Sequence, residues 1–197
     1  MTTSRLLAGA SGYSFKEWKG TFYPENIKPE AMLRLVFRAP ADGRDQQHVL
    51  PDAQDRRCSR TGRPSTPGDF RFSIKASQPD HAHRRGSRSE SAAEPLGYLY
   101  RNLAALGAKR GPVLFQLPPN LKKDLPRLAA FLRLLPADHN AAFEFRNDTW
   151  FADDVYDALK GAGAALCLSE REDNAPPPLV ETAPWGYVRL RLENVLG

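Results

Sequence analysis

The residues best suited to chemistry stand at the ends of short apolar runs. Lys75 closes FRFSIK (70–75), and Gln116 sits at the end of GPVLFQL (111–117). Glu144 and Arg146 stand two apart in AAFEFR (141–146), and Arg189 and Arg191 repeat that spacing in GYVRLRL (186–192). If these runs are strands, residues two apart share a face. A carboxylate among cations can act as a general acid or base, and guanidinium and ammonium groups can hold an anion. Glu144, Lys75 and Arg146 are therefore the catalytic candidates, with Gln116 and Arg189 as substrate-binding groups. The same residues also fit a structural network, because a buried charge is costly unless it is paired.

A second group is aromatic. Residues 10–29 (ASGYSFKEWKGTFYPENIKP) follow the first apolar run and supply Ser11, Gly12, Tyr13, Trp18 and Tyr23 as binding candidates; Trp150 follows Asn147-Asp148-Thr149. Rings on a loop can stack on a planar or sugar-like ligand, or simply pack against one another. Ser11 lacks the G-x-S-x-G frame of a nucleophile elbow. His81 and His83, with His48 or Cys58, lie in stretches without periodicity, and metal ligands need fixed geometry. No metal is expected, and the sequence leaves the cofactor open. The RRGSR run at 84–88 reads as a solvated charge run.

The elements needed to position these groups can be read from periodicity. Strands are expected over 5–9, 70–75, 111–117, 141–146, 164–168 and 186–192. Helices are expected over 29–36, 91–107, 124–135 and 152–161, where leucines recur at three- and four-residue spacing. Strands alternating with helices of this length imply βαβ units and a parallel sheet. The turn after the first run, GASGY, is not G-x-G-x-x-G, and no phosphate-loop motif occurs, which favours a TIM-like (β/α) barrel over an open nucleotide-binding sheet. In such a barrel the strand ends named above form the catalytic face.

Two windows break the pattern. Residues 38–69 contain only Val49 and Leu50 as large apolar residues, and 78–90 (QPDHAHRRGSRSE) contain none. Both are expected to be irregular or disordered, within what otherwise reads as one domain over 1–197. A structureless loop of that length inside a compact domain calls for a special cause.

Bulk properties exclude several classes. The chain has 197 residues, 41% of them hydrophobic, and a formal net charge of +5. No run approaches the roughly 20 apolar residues of a membrane span, and no apolar stretch behind the N-terminus suggests a secretory leader. Cys58 and Cys167 have neither disulfide-framework nor zinc spacing. A soluble, cytoplasmic protein is expected. Outside the two windows the net charge is only +3, so a nucleic-acid-binding role is the alternative rather than the leading reading.

The motifs resemble those of the domain of unknown function 72 family. GASGYS-x-x-x-W-x-G-x-FYP (9–24) is similar to its opening signature, and FRFSIKA (70–76), GPVLFQLPP (111–119) and FEFR-x-x-x-W (143–150) to its next three. The resemblance covers 5–36, 70–77 and 91–191 and implies a TIM-like barrel with a pocket; it brings no established reaction. The family's Glu-Ile-Asn-x-x-Phe-Tyr-like strand is absent from 36–69, an Ile-Thr-His-like segment is replaced at 78–90, and a last helix and strand are absent beyond 191. The barrel is thus expected to be incomplete and truncated, with both windows read from the wrong frame or inserted. The function expected is that of an uncharacterised barrel protein binding a small anionic or sugar-like substrate as a small-molecule ligand. A nucleic-acid binder and a non-functional remnant are the alternatives, and the oligomeric state is left open.

Overall fold

The structure is a computed structural model and describes residues 6–10, 12, 15–36, 48–49, 70–76, 90–170 and 178–190. Its elements are α1 (Pro29–Val36), β1 (His48–Val49), β2 (Arg71–Lys75), α2 (Glu90–Ala104), β3 (Arg110–Gln116), α3 (Leu125–Leu132), β4 (Ala141–Glu144), α4 (Asp153–Ala162), β5 (Ala165–Ser169) and β6 (Tyr187–Arg189). The expected helices and all but one of the expected strands are present, with ends shifted by a few residues. The fold is α/β with parallel strand pairing.

The chain groups into two compact units, one of residues 1–75 and 99–111 and one of residues 76–98 and 112–197. In the first, β1 pairs in parallel with β2, His48 opposite Arg71 and Val49 opposite Phe72. Two expectations are corrected here. Residues 6–10 form no strand, and Leu6 is 80% exposed, so the first apolar run has no surface to bury against. The window 38–69, expected to lack any strand, supplies β1 at one of its two large apolar residues, Val49. The rest of that window, and 78–89, lie outside the described residues. Phe72 and Ile74 of β2 are buried. Gly111 is held to glycine by close approach, since a Cβ there would lie 2.8 Å from the Phe72 carbonyl oxygen.

The second unit holds β3 from Pro112 onward and β4–β6 in chain order, each strand parallel to the next. The period of two separates the sheet into two faces. On one, Phe115 and Phe143 stack at 5.4 Å, and Phe131 of α3 meets both edge-on at 5.2 and 6.1 Å. Leu128 and Leu132 of α3 and Val155 and Leu159 of α4 are buried as well. On the other face Leu114, Ala142, Ala165 and Cys167 form a buried layer, covered by Ala183, Trp185 and Tyr187.

Local signals fix where the helices begin and end. Asp124 caps α3, its carboxylate accepting from the Arg127 backbone N–H at 3.0 Å, with Pro126 in the first turn. Asp153 and Asp154 open α4 and Lys160 lies in its last turn, complementing the helix dipole. Gly163, at φ 68°, ends α4 in the left-handed conformation, which lets the chain turn directly into β5. Thr182 then ties down the start of β5. Its buried hydroxyl accepts from Leu166 N–H at 2.7 Å and donates to the Ala164 carbonyl at 2.8 Å.

Candidate functional site

At the C-terminal ends of β3, β4 and β6 the second face of the sheet turns from apolar to charged. Gln116 lies opposite Glu144 in the β3–β4 register, and both share the face of Leu114 and Ala142. Glu144 is 1% exposed. A carboxylate so enclosed needs counter-charges, and two guanidinium groups supply them. Arg146 Nε donates to Glu144 Oε1 at 3.1 Å, and Arg189 Nη1 donates to Glu144 Oε2 at 2.8 Å. The same Arg189 nitrogen donates to Gln116 Oε1 at 3.1 Å. One hydrogen-bonded group thus joins three strands and the loop after β4. The charges of Glu144, Arg146 and Arg189 sum to +1. The Arg189 Nε is buried and has no hydrogen-bond partner among the described residues.

Next to this group, in the apolar layer of the same face, lies Cys167, which nothing in its sequence context singles out. Burial pushes its thiol pKa well up, the nearby Glu144 charge adds to the rise, and Arg189 opposes it. The side chain is therefore held as a neutral thiol that packs like a small apolar residue. Ser169 was missed in the same way. It ends β5, is 7% exposed and lies opposite Arg189 in the β5–β6 register. Only the strand pairing, not the residue types, could have brought either of them to the site.

The loops that flank the cluster are fastened to each other. Asn147 Nδ2 donates to the Pro119 carbonyl at 2.7 Å, Lys123 N–H donates to Thr149 Oγ1 at 2.8 Å, and Trp150 Nε1 donates to the Leu121 carbonyl at 2.8 Å. Lys123 also pairs with Asp154 at 3.0 Å, and that ammonium holds the Asp154 carboxyl below its ordinary pKa. The chain leaving β3 and the chain carrying Arg146 are therefore held in one arrangement.

Of the residues named from the sequence, the structure gathers Glu144, Arg146, Gln116 and Arg189. Lys75 closes β2 in the other unit, half-buried. Trp150 is 2% exposed and stacks at 4.9 Å and 5° on Phe145, which alternation turns away from the Glu144 face. It is thus a packing residue rather than part of the cluster. Trp18 and Tyr23 belong to a knot of rings with Phe15 and Phe22, at centroid separations of 4.8–5.7 Å, in which Tyr23 is 2% exposed. Gly12 abuts Phe15. Ser11, Tyr13, Arg191, Cys58, His81 and His83 lie outside the described residues. Among the described residues no three His, Cys, Asp or Glu side chains are grouped to hold a metal.

Residues 53–195 match the family described as Protein of unknown function DUF72. The chain belongs to the DUF72 family. The matched range contains every member of the Glu144 cluster and runs through residues 53–69 and 78–90, while the aromatic segment at 9–24 lies outside it. The fold is similar to that of a DUF72 family protein from Thermotoga maritima, with a TM-score of 0.76 and 22% identity, over 95% of this chain and 74% of that one. It is also similar to two crystal structures of a DUF72 family protein from Enterococcus faecalis. One gives a TM-score of 0.57 and 16% identity over 80% of this chain and 62% of that one. The other gives 0.56 and 16% over 85% and 72%. No curated protein matches the chain. Among the described residues no helix is long and apolar enough to cross a membrane.

Proposed function

We propose that this DUF72 chain is a TIM-like barrel protein that binds a small anionic substrate at the C-terminal ends of its strands, with Arg146 and Arg189 holding the anion. The observation that carries the reading is the Arg189 Nε, which is buried beside the Glu144 carboxylate cluster and has no partner among the described residues. An unmatched buried N–H is costly, of the order of 1–3 kcal/mol, and an oxyanion would satisfy it. The position fits as well, since barrel enzymes place their sites at this end of the strands.

Within that reading Glu144 is the anchor of the site. Both of its oxygens are engaged by guanidinium groups, so it fixes the direction in which Arg146 and Arg189 present their remaining N–H bonds. The sugar-like part of the sequence expectation has less support. It rested on Tyr13, Trp18, Tyr23 and Trp150, and two of these four rings, Tyr23 and Trp150, are buried in packing.

The test is calorimetric titration of the protein with inorganic phosphate, acetate and glucose. Binding of an anion but not of glucose, lost in Arg189→Met, is the expected result. Equal indifference to all three, or anion binding that Arg189→Met leaves intact, would overturn the proposal.

A further inference from the structure

We infer that Ser169 is a third ligand-binding group of this site and that the anion it serves is a phosphoryl group rather than a planar carboxylate; the inference rests on the anion-binding reading above. Ser169 closes β5 and is paired in register with Arg189 on β6. Paired residues of parallel strands project from the same face, and alternation puts that face in common with Ala165 and Cys167, the apolar layer beneath Glu144. Ser169 is 7% exposed. A hydroxyl at this position on the shared face can donate to a ligand. On the paired residue of the neighbouring strand, the Arg189 Nε is buried and without a partner among the described residues. Two groups able to donate thus stand on paired residues, and the Arg189 Nε lacks an acceptor among the described residues.

The stereochemistry of Arg189 narrows what that acceptor is. Its Nη1 is engaged by Glu144 and Gln116. The Nε and Nη2 protons, which lie along one edge of the guanidinium plane, form the fork that matches two oxygens of a carboxylate or phosphate. A carboxylate has only those two oxygens. A phosphoryl group has a third, out of the plane of the fork, and the Ser169 hydroxyl on the neighbouring strand is the donor for it. Below both lies Cys167, a neutral thiol that brings no negative charge to repel the ligand.

Titration of inorganic phosphate and of acetate into four proteins tests this: the unsubstituted chain, Ser169→Ala, Ser169→Thr and Arg189→Met. Loss of a hydrogen bond to a charged group corresponds to about a tenfold fall in affinity. Ser169→Ala should show that fall for phosphate but not for acetate, with the unliganded melting temperature unchanged. Ser169→Thr, which keeps the hydroxyl, should recover most of the affinity. If Ser169→Ala does not fold, Ser169→Cys makes the same comparison with a similar volume. Phosphate binding that Arg189→Met abolishes and Ser169→Ala leaves intact would overturn the role of Ser169 and spare the anion site. Acetate bound as tightly as phosphate would overturn the phosphoryl assignment alone. No anion binding by the unsubstituted protein would overturn both readings.

Discussion

Arg189 reaches Glu144 across 45 residues of sequence, its Nη1 2.8 Å from Oε2, and so closes the charged end of a sheet whose other contacts are almost all apolar. The two residues have unequal consequences when removed. Deleting Glu144 leaves two guanidinium groups without their shared carboxylate, whereas deleting Arg189 leaves Glu144 still paired with Arg146. Glu144→Leu is therefore expected to cost about 3–5 kcal/mol, as for other broken buried pairs, and Arg189→Met less. The double variant should recover part of the Glu144→Leu loss, because it removes one of the stranded charges. Urea unfolding of the three variants measures this, and additive losses would mean that the two residues are not coupled.

The clasp between the loops makes a different prediction. Asn147→Ala removes the 2.7 Å bond to the Pro119 carbonyl and the acceptor that serves both the Thr149 backbone and its hydroxyl. Asn147 is part-exposed, so the loss in global stability should be about 1 kcal/mol. The local effect should be larger: amides over 118–124 and 146–150 should exchange hydrogen faster, with those of β4 unchanged. Faster exchange throughout β4 would show that the clasp holds the strand and not only the loops.

Thr182 is expected to matter more than its single side chain suggests. Its hydroxyl bonds the N–H of Leu166 and the carbonyl of Ala164 while 3% exposed. Thr182→Val keeps the shape and removes both partners, leaving two buried backbone groups unmatched at about 1–3 kcal/mol each. Thr182→Ser keeps the hydroxyl and should cost far less. A melting temperature that falls for Thr182→Ser and not for Thr182→Val would place the contribution in the methyl group instead.

The sequence made some of this legible and concealed the rest for identifiable reasons. Strands and helices from residue 70 onward were readable because each buries one face, so periodicity survives in FRFSIK, in GPVLFQL and in the leucines of α2 and α3. Glu144 and Arg146 were readable as a pair because alternation gives them one face, and Gln116 and Arg189 joined them as residues at the ends of other strands. Cys167 and Ser169 were not, since nothing in ALCLS distinguishes two inward positions of a strand until the β5–β6 register pairs Ser169 with Arg189. The expected strand at 5–9 failed because apolar composition states a preference for burial but not whether a surface is there to receive it. Trp150 stayed open for a related reason: a ring two residues past Asp148 can face a ligand or the protein, and only the structure shows its stack on Phe145.

Cys167 links the site to pH. Its pKa is raised in the folded chain, chiefly by burial, whereas an unfolded thiol ionises near 8.5. A group with a raised folded pKa contributes stability that is fully present below the unfolded value and lost as pH climbs toward the folded one. Between about pH 8.5 and 10 the unfolded chain therefore sheds a proton that the folded chain keeps, and stability should fall by up to about 1.4 kcal/mol per pH unit on this account. Tyr23 and Tyr156, both raised by burial, add to the fall as pH passes about 10. Replacing Cys58 by Ser leaves Cys167 as the sole thiol. In that background Cys167 should react with iodoacetamide only as fast as the chain unfolds, and Cys167→Ala should flatten the pH dependence between 8.5 and 10. Rapid alkylation of the folded protein at pH 8 would show an ionised, accessible thiol, and with it a site built differently from the one described.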